Sequence, residues 1–352
     1  MTRQATPLAS LAIASALATL LGTSALAQAD GATVAFLMPD QGSTRYEEHD
    51  FPGFEARMAE LCPTCTLVYQ NANADAALQQ QQFNSVLAQG ATVVVLDPVD
   101  STAAASLVDQ AHAQGVKVIA YDRPIPDNPA DFYVSFDNQA IGAAIAQSLV
   151  DHLKAEGVPE GAGVLQINGS PTDAAAGLIR DGVDSALDAS GYVTLAEFDT
   201  PNWAPPEAQE WTSGQITRFG DEIVGVAAAN DGTGGAAVAA FKAAGVEPVP
   251  PVTGNDATIA ALQLVIAGDQ FNTISKPSEI VGAAAADAAV ALLNGETPEA
   301  TATLYDTPSQ LFVPAVITQE NIKAEIFDAG ITPAAEVCTA EYAEACAALG
   351  IE

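Results

Sequence analysis

Short apolar runs alternate with longer segments of helical periodicity along the first half of the chain. The predicted strands are residues 33–38, 66–70, 92–96 and 117–121, and the predicted helices between them are residues 52–61, 75–89 and 101–114. The runs have the length of buried strands, and Gly90 and Gly115 follow two of the helices. This order is typical of a parallel sheet that is covered by helices on both faces.

The pattern starts again in the second half, after a break near Phe136, Asp137 and Asn138. The further predicted strands are residues 163–168, 193–198, 223–229 and 252–254, and the helices are residues 141–155, 174–190, 235–244 and 258–267. A chain of this length exceeds what a single hydrophobic core usually serves. We therefore predict an α/β fold of two Rossmann-like, doubly wound lobes with a cleft between them.

Distinctive polar residues follow the predicted strands, where the carboxyl ends of parallel strands form a binding surface. Without Arg3, ten basic residues remain, and four of them lie at or near these loops: Arg45, Arg123, Arg180 and Lys276. An arginine offers a planar fork of donors, and Asp or Asn side chains accept in return. Tyr46 and Trp203 could cover the C–H faces of a sugar ring. The alternative is salt bridging between loops, which contributes little energy when exposed.

The first 27 residues have the pattern of an export signal. Arg3 precedes an apolar run over residues 11–21, and Ala25-Leu26-Ala27 offers a cleavage site before Gln28. The run is shorter than the roughly 20 residues that span a bilayer. Because no cysteine occurs before Cys62, a lipid anchor at the cleavage site is not expected. We predict a soluble protein of the periplasm.

The net charge of −33 excludes nucleic acid as a partner, because such a field repels phosphate backbones. Surplus carboxylates of this kind keep an exported protein soluble. The four cysteines form two local pairs, Cys62/Cys65 and Cys338/Cys346. In an exported chain we expect both pairs to be disulfides rather than metal ligands.

Enzymatic alternatives find little support in the motifs. Residues 232–237 fit G-x-G-x-x-A, but no suitable acidic residue follows at the end of a later strand to hold a ribose, so no cofactor is predicted. No G-x-S-x-G elbow occurs, and His49, His112 and His152 are scattered. Residues 71–75 lack the glycine and glutamate of a calcium loop, and no metal is predicted. A DNA-binding regulator would need a helix-turn-helix where the export signal stands.

Several sequence blocks carry a family resemblance. They are residues 120–123 (AYDR), 131–138 (DFYVSFDN), 169–173 (GSPTD), 230–231 (ND) and 276–277 (KP). In this order and spacing they resemble the xylose-binding group of the ribose/galactose-type periplasmic sugar-binding proteins, the type I binding proteins of ABC importers. The similarity runs over essentially the whole chain after the signal.

The resemblance implies two lobes joined by a three-stranded hinge that crosses near residues 136–138, 275–277 and 309–314. The implied lobes are residues 28–137 plus 277–309 and residues 138–276 plus 310–352. The implied ligand-binding residues are Arg45, Tyr46, Asp122, Arg123, Asp173, Arg180, Trp203, Asn230, Asp256 and Lys276.

The implied function is capture of a monosaccharide, xylose or a related aldose, and delivery by a monomer to the membrane subunits of an ABC permease, without catalysis. Presentation of the sugar to a chemoreceptor or sensor kinase is the alternative, followed by a secreted sugar-modifying enzyme. Ala174 and Ala175 replace an asparagine pair of the xylose-binding group, and Tyr46 replaces a tryptophan. These departures leave the identity of the sugar open.

Overall fold

The strands of the chain assemble into three sheets in the computed structural model, which describes residues 1–2, 31–41 and 45–351. The predicted cleavage site and nearly all of the predicted export signal lie outside these residues. The strands are β1 Thr33–Met38, β2 Thr66–Asn71, β3 Ala91–Leu96, β4 Lys117–Tyr121, β5 Phe132–Phe136, β6 Gly163–Asn168, β7 Val193–Asp199, β8 Ile223–Ala228, β9 Thr273–Ser275, β10 Ala302–Leu304, β11 Thr307–Phe312 and β12 Ala315–Ile317.

Helices cover the sheets and connect their strands. They are α1 Phe51–Leu61, α2 Ala76–Ala88, α3 Ala105–His112, α4 Asn138–Ala155, α5 Ala174–Asp188, α6 Pro205–Phe219, α7 Asp231–Ala243, α8 Ile259–Ala267, α9 Ser278–Leu293, α10 Ala334–Val337 and α11 Ala343–Ala348. Shorter helical turns lie at Tyr46–Asp50, Pro201–Trp203, Gly220–Glu222 and Lys323–Asp328.

The first lobe is built on the sheet β10-β11-β5-β4-β3-β1-β2, which is parallel except for β10. Successive residues of β1 enter two different cores. Val34 and Phe36 pack on the side of α1 and α9, and Ala35 and Leu37 pack on the side of α2 and α3. Both faces of the sheet are therefore buried, which explains why its strands are nearly continuous apolar runs.

The second lobe contains the parallel sheet β7-β6-β8 and the antiparallel pair β12-β9. Helices α4 and α5 cross at very short range on one face. A Cβ atom at Gly142 would overlap the carbonyl oxygen of Ile179, and one at Gly182 would overlap that of Gln139. Only glycine permits this approach, which fixes the position of α5 and of the residues at its start.

The chain passes between the lobes after β5, between β9 and α9, and between β11 and β12. We propose the boundaries given by the resemblance for the two lobes, except that residues 310–312 stay with the first lobe. Because β11 stays in the first sheet up to Phe312, the third crossing lies at Val313 and Pro314. The three crossings place the carboxyl ends of both parallel sheets on opposite sides of one cleft.

Both expected cysteine pairs are bonded in the structure, Cys62 to Cys65 and Cys338 to Cys346. The second pair ties the C-terminal tail, residues 329–351, to itself beside α8. In that tail, Val337, Cys346 and Ile351 share a buried core with Leu262 and Val265 of α8.

Element boundaries differ from the sequence expectations at several places. The strand expected at residues 252–254 is only a single bridge between Val226 and Val252, and the next amide of β8, that of Ala228, donates to Oγ1 of Thr253 instead of a backbone carbonyl. Helices α4 and α7 begin earlier than expected, at Asn138 and Asp231. Their N-termini are capped by the side chains of Asp137 and Asn230. Among the described residues, no helix has the length and apolarity that a membrane crossing requires.

Candidate functional site

Nine of the ten residues expected to bind ligand line one cavity between the lobes. They are Arg45, Tyr46, Asp122, Arg123, Asp173, Trp203, Asn230, Asp256 and Lys276. The cavity volume is about 40 Å³, far below the roughly 300 Å³ at which small-ligand sites begin. The lobes are therefore closed on the side chains themselves, and a ligand must part them to enter.

Arg45 forms the wall of the cavity next to the hinge. Its Nη1 lies 2.8 Å from Oδ1 of Asp50, and its Nη2 is ion-paired with Asp122. Its guanidinium also lies over the ring of Tyr46, 4.7 Å from the centroid. The side chain is buried, so these partners hold a fixed charge with its donors at defined angles.

Arg123 lies at the end of β4 and points toward the second lobe. Its Nη2 lies 2.7 Å from Oδ2 of Asp40, and its Nη1 donates to the carbonyl of Pro98 at 3.1 Å. Its Nε lies 3.3 Å from Oδ2 of Asp173, which belongs to the other lobe. Arg123 thus links the lobes by charge across the cavity.

The hinge contributes a third buried cation. Nζ of Lys276 lies 2.8 Å from Oδ1 of Asp256, and Nε of Arg45 lies 3.9 Å from the same oxygen. Asp256 therefore receives charge from the first lobe and from the hinge together. Burying ion pairs of this kind has a desolvation cost. Hydroxyl groups of a ligand that form hydrogen bonds with the buried charges can offset this cost.

The rim of the cleft is also closed by backbone contacts between the lobes. The amide of Ser101 donates to the carbonyl of Thr172 at 3.0 Å, and the amide of Ala174 donates to Oγ of Ser101 at 3.1 Å. These hydrogen bonds involve loops at the carboxyl ends of β3 and β6, which are the faces where ligands bind in such sheets.

Two aromatic side chains form apolar parts of the wall. Nε1 of Trp203 donates to Oδ2 of Asp173 at 2.9 Å, and the hydroxyl of Tyr46 donates to Oδ2 of Asp122 at 3.1 Å. A Cβ atom at Gly169 would overlap the Trp203 ring. Each ring is thus held by a carboxylate, Trp203 also by close packing on Gly169, and Arg45 lies over the Tyr46 ring. An aromatic face suits a C–H surface of a ligand.

Three cavity residues adopt positive φ, an unfavourable conformation for a residue with a side chain. The φ angles are 54° at Asp122, 55° at Trp203 and 118° at Asp256. Such residues cost of the order of 1 kcal/mol or more each and occur preferentially at functional sites. The strain at all three positions supports the assignment of this cavity as the working site.

Arg180 is not brought to the cavity. It is 43% exposed, and its Nη1 lies 3.6 Å from Oδ2 of Asp199. On α5 the cavity is lined by Ala175 and Ile179, which are four residues apart and share a helix face. Arg180 lies about 100° further round the helix, and its side chain lines a separate surface depression.

Sequence reasoning missed Asp40, Asn138, Ile179 and Asn255, which also line the cavity. Asp40 follows β1, and Asn255 precedes Asp256, so the rule that polar residues follow strands could have found both. Asp97, at the end of β3, is fully buried beside the cavity, with Oδ1 3.5 Å from Nε of Arg123. The same rule could have found Asp97, which directly follows the strand expected at residues 92–96, but its complete burial leaves no mark in the sequence.

Charge and burial act in opposite directions on these carboxyl groups. Burial would raise the pKa of Asp122, but Arg45, Lys276 and Arg123 outweigh it and lower that pKa to about 2. At Asp97 and Asp173 burial dominates and raises the pKa in spite of Arg123. Asp122 is therefore a carboxylate at neutral pH, ready to accept hydrogen bonds from hydroxyl groups.

Comparison with known proteins places the chain in a family. The model of the periplasmic binding protein domain matches residues 34–297. The chain is 33% identical over 276 residues to the D-xylose-binding periplasmic protein of Escherichia coli, covering 76% of this chain and 82% of that protein. It is 29% identical over 347 residues to the multiple sugar-binding periplasmic receptor ChvE of Rhizobium radiobacter, covering 91% and 96%.

Among solved structures, it is similar to the carbohydrate transporter solute-binding protein of Chloroflexus aurantiacus in complex with D-glucose. The TM-score is 0.76 at 26% identity, covering 86% of this chain and 97% of that one. The expected fold class and family are thereby confirmed. This chain belongs to the periplasmic binding protein family that includes the D-xylose-binding protein of Escherichia coli.

Proposed function

We propose that this protein captures a monosaccharide, xylose or a related aldose, between its lobes in the periplasm and delivers it to an ABC importer. The observation that carries the proposal is the pairing of first-lobe arginines with second-lobe aspartates inside the cavity, Arg123 with Asp173 and Arg45 with Asp256. A ligand that bonds to both partners of such pairs favours the closed arrangement of the lobes.

The chemistry of the cavity fits a neutral sugar. Guanidinium forks donate to neighbouring hydroxyl oxygens, carboxylates such as Asp122 accept from hydroxyl groups, and the rings of Tyr46 and Trp203 suit C–H faces. Four carboxylates and three cations line the cavity, so it offers no surplus positive charge to an anion. Relatives named for xylose and for multiple sugars support the same class.

The breadth of the site is proposed to exceed that of a dedicated xylose site. Ala175 lines the cavity at a position where the xylose-binding group carries an asparagine amide. The methyl group of Ala175 leaves space and lacks the donor of an amide. A sugar with another configuration or an additional carbon therefore loses less binding free energy here than it would beside a fixed amide.

Capture and release break no covalent bond, and we propose no catalytic role for any cavity residue. We also propose that residues 1–27 are removed on export, that no lipid is attached, and that the mature protein is a monomer. Mass spectrometry of the exported protein should find Gln28 at the N-terminus, and light scattering should give the monomer mass. An intact signal, an attached lipid or a dimer mass would contradict the corresponding part.

Isothermal titration calorimetry with a panel of aldoses tests the main proposal. D-xylose, L-arabinose, D-ribose, D-glucose and D-galactose should be compared with amino acids and a dipeptide. We expect at least one aldose to bind one-to-one with a micromolar Kd. Binding of an amino acid or peptide, with no aldose binding below the millimolar range, would overturn the sugar assignment.

A further inference from the structure

A second cavity, here called the hinge chamber, lies on the hinge side of the ligand cavity and has a volume of about 340 Å³. Its lining includes Arg45, Asp256, Ser275, Lys276, Glu279 and Ile331. Its volume lies within the range of small-ligand sites. The family assignment gives this chamber no role.

The walls of the hinge chamber come from both lobes. Glu48 and His49 precede α1, and Glu279 lies in the first turn of α9, so this wall belongs to the first lobe. Thr258 caps α8 in the second lobe. The C-terminal tail adds Ile331, Thr332 and Glu336 to that side. A ligand in the chamber would therefore touch both lobes at the place where they turn.

The floor of the chamber carries two polar atoms that lack hydrogen-bond partners. Oγ of Ser275 and Nε of Arg45 are buried without a hydrogen bond within the described part of the chain. Ser275 is only 3% exposed and Arg45 only 5%. Buried polar groups are normally satisfied, and an unsatisfied one destabilises the folded state. Both residues line the chamber, but the two atoms themselves are shielded from it, so a ligand there satisfies them only when the floor residues shift.

The charges around the chamber select the chemistry of that ligand. Arg45 and Lys276 present donors at the floor, whereas Glu48, Glu279 and Glu336 present acceptors on the walls. Glu279 is paired with His49 at 2.6 Å, so an anion would be repelled by Glu48 and Glu336, and an amine could not accept from the floor. Hydroxyl groups both donate and accept. Ile259, Ile331 and Pro277 add apolar surface for C–H groups, which completes a polyol site.

We propose that the hinge chamber binds a second polyhydroxylated unit, either a separate polyol or the second ring of a glycoside whose first ring fills the ligand cavity. Arg45, Asp256 and Lys276 line both cavities, so the two spaces adjoin at these side chains. Because the same ion pairs face both spaces, occupancy of the chamber changes the affinity of the ligand cavity, and the coupling is reciprocal.

Xylitol is the probe for a calorimetric test. In Arg123→Ala the ligand cavity is impaired, but the chamber keeps every lining residue, so this background separates the two sites and the two proposals. We expect one xylitol per chain to bind to Arg123→Ala. Adding Ile331→Trp, which fills the chamber from the partly exposed tail, should weaken that binding at least tenfold. Adding Ser275→Ala, which removes one unpartnered hydroxyl, should weaken it severalfold.

Val193→Trp is the matched control, since it adds an indole at an exposed position of β7 and should leave xylitol binding unchanged. Cellobiose, tested with wild-type protein, then distinguishes a separate polyol from the second ring of a glycoside as the ligand of the chamber. If one bound cellobiose prevents the binding of both xylitol and the monosaccharide, the natural ligand is a single two-ring molecule. If the monosaccharide and xylitol bind at the same time, there are two ligands. Absence of xylitol binding to Arg123→Ala up to about 50 mM, or binding unchanged by both chamber variants, would overturn the proposal.

Discussion

Nε of Arg123 in the first lobe lies 3.3 Å from Oδ2 of Asp173 in the second lobe, inside a cavity where both side chains are buried. The pair spans the space that a ligand must enter. Its two members also hold other parts of the wall, since Arg123 pairs with Asp40 and Asp173 accepts from Trp203.

Replacement of this arginine should impair ligand binding strongly. Arg123→Ala is expected to weaken the Kd of the best aldose at least tenfold, about 1.4 kcal/mol, because it removes donors from a desolvated site. Arg123→Lys should restore only part of the loss, since an ammonium lacks the planar fork. Calorimetry measures both. The control is Arg180→Ala, which should leave the Kd within about twofold. An unchanged Kd in Arg123→Ala would remove Arg123 from the contact set.

Ligand binding should be visible in the fluorescence of one tryptophan. The chain has two, Trp203 in the cavity wall and Trp211 on α6, where Trp211 stacks on Phe198. Trp203→Phe should abolish the change in emission on binding, and it should weaken the Kd about tenfold because the hydrogen bond to Asp173 is lost. Trp211→Phe should keep both the signal and the affinity. A signal that disappears with Trp211 instead would place the ligand elsewhere.

Stability should fall with rising pH through the buried carboxyl of Asp231. Burial, and then the charge of Asp256, raise the pKa of Asp231 to about 7. A raised pKa favours the protonated form in the folded state, so its contribution is complete below about pH 4 and is lost as the pH rises through 7. Relative to Asp231→Asn, the wild type should lose up to about 4 kcal/mol of unfolding free energy between pH 4 and pH 8.

Urea denaturation at a series of pH values measures this difference. Asp221→Asn, at an exposed position, is the control and should run parallel to the wild type. If Asp231→Asn ran parallel as well, the burial of a titrating Asp231 would be disproved.

The C-terminal disulfide should stabilise the second lobe. Replacing Cys338 and Cys346 together by alanine is expected to cost about 2.5 kcal/mol from loop closure, and the shorter loop of Cys62 and Cys65 about 2 kcal/mol. Calorimetric Tm values compare the two double variants. Because the tail packs against α8, only the Cys338/Cys346 double variant should also weaken xylitol binding in the hinge chamber. An unchanged Tm in the Cys338/Cys346 variant would show that the tail is held by packing alone.

Much of the cavity was predictable from the chain because parallel sheets place the ends of their strands at one edge. Asp122, Arg123 and Asn230 follow strands whose apolar runs are clear, so their meeting in a cleft follows from topology. Arg180 lies outside the cavity because its position depends on the rotation of α5, which is set where α4 and α5 approach each other closely at Gly142 and Gly182. Periodicity gives the faces of a helix but not which face turns to the cleft.

The sequence by itself determined two doubly wound lobes, two local disulfides and the types of residue that meet between the lobes. These features depend on local patterns, namely apolar runs, caps and short cysteine spacings. Other features are visible only in the tertiary structure. The cavity is closed by its own ion pairs, Asp97 and Asp231 are buried, and the tail forms one wall of a second chamber beside the hinge. Those features depend on contacts between residues far apart in the chain, and burial or charge pairing of that kind leaves no local pattern to read.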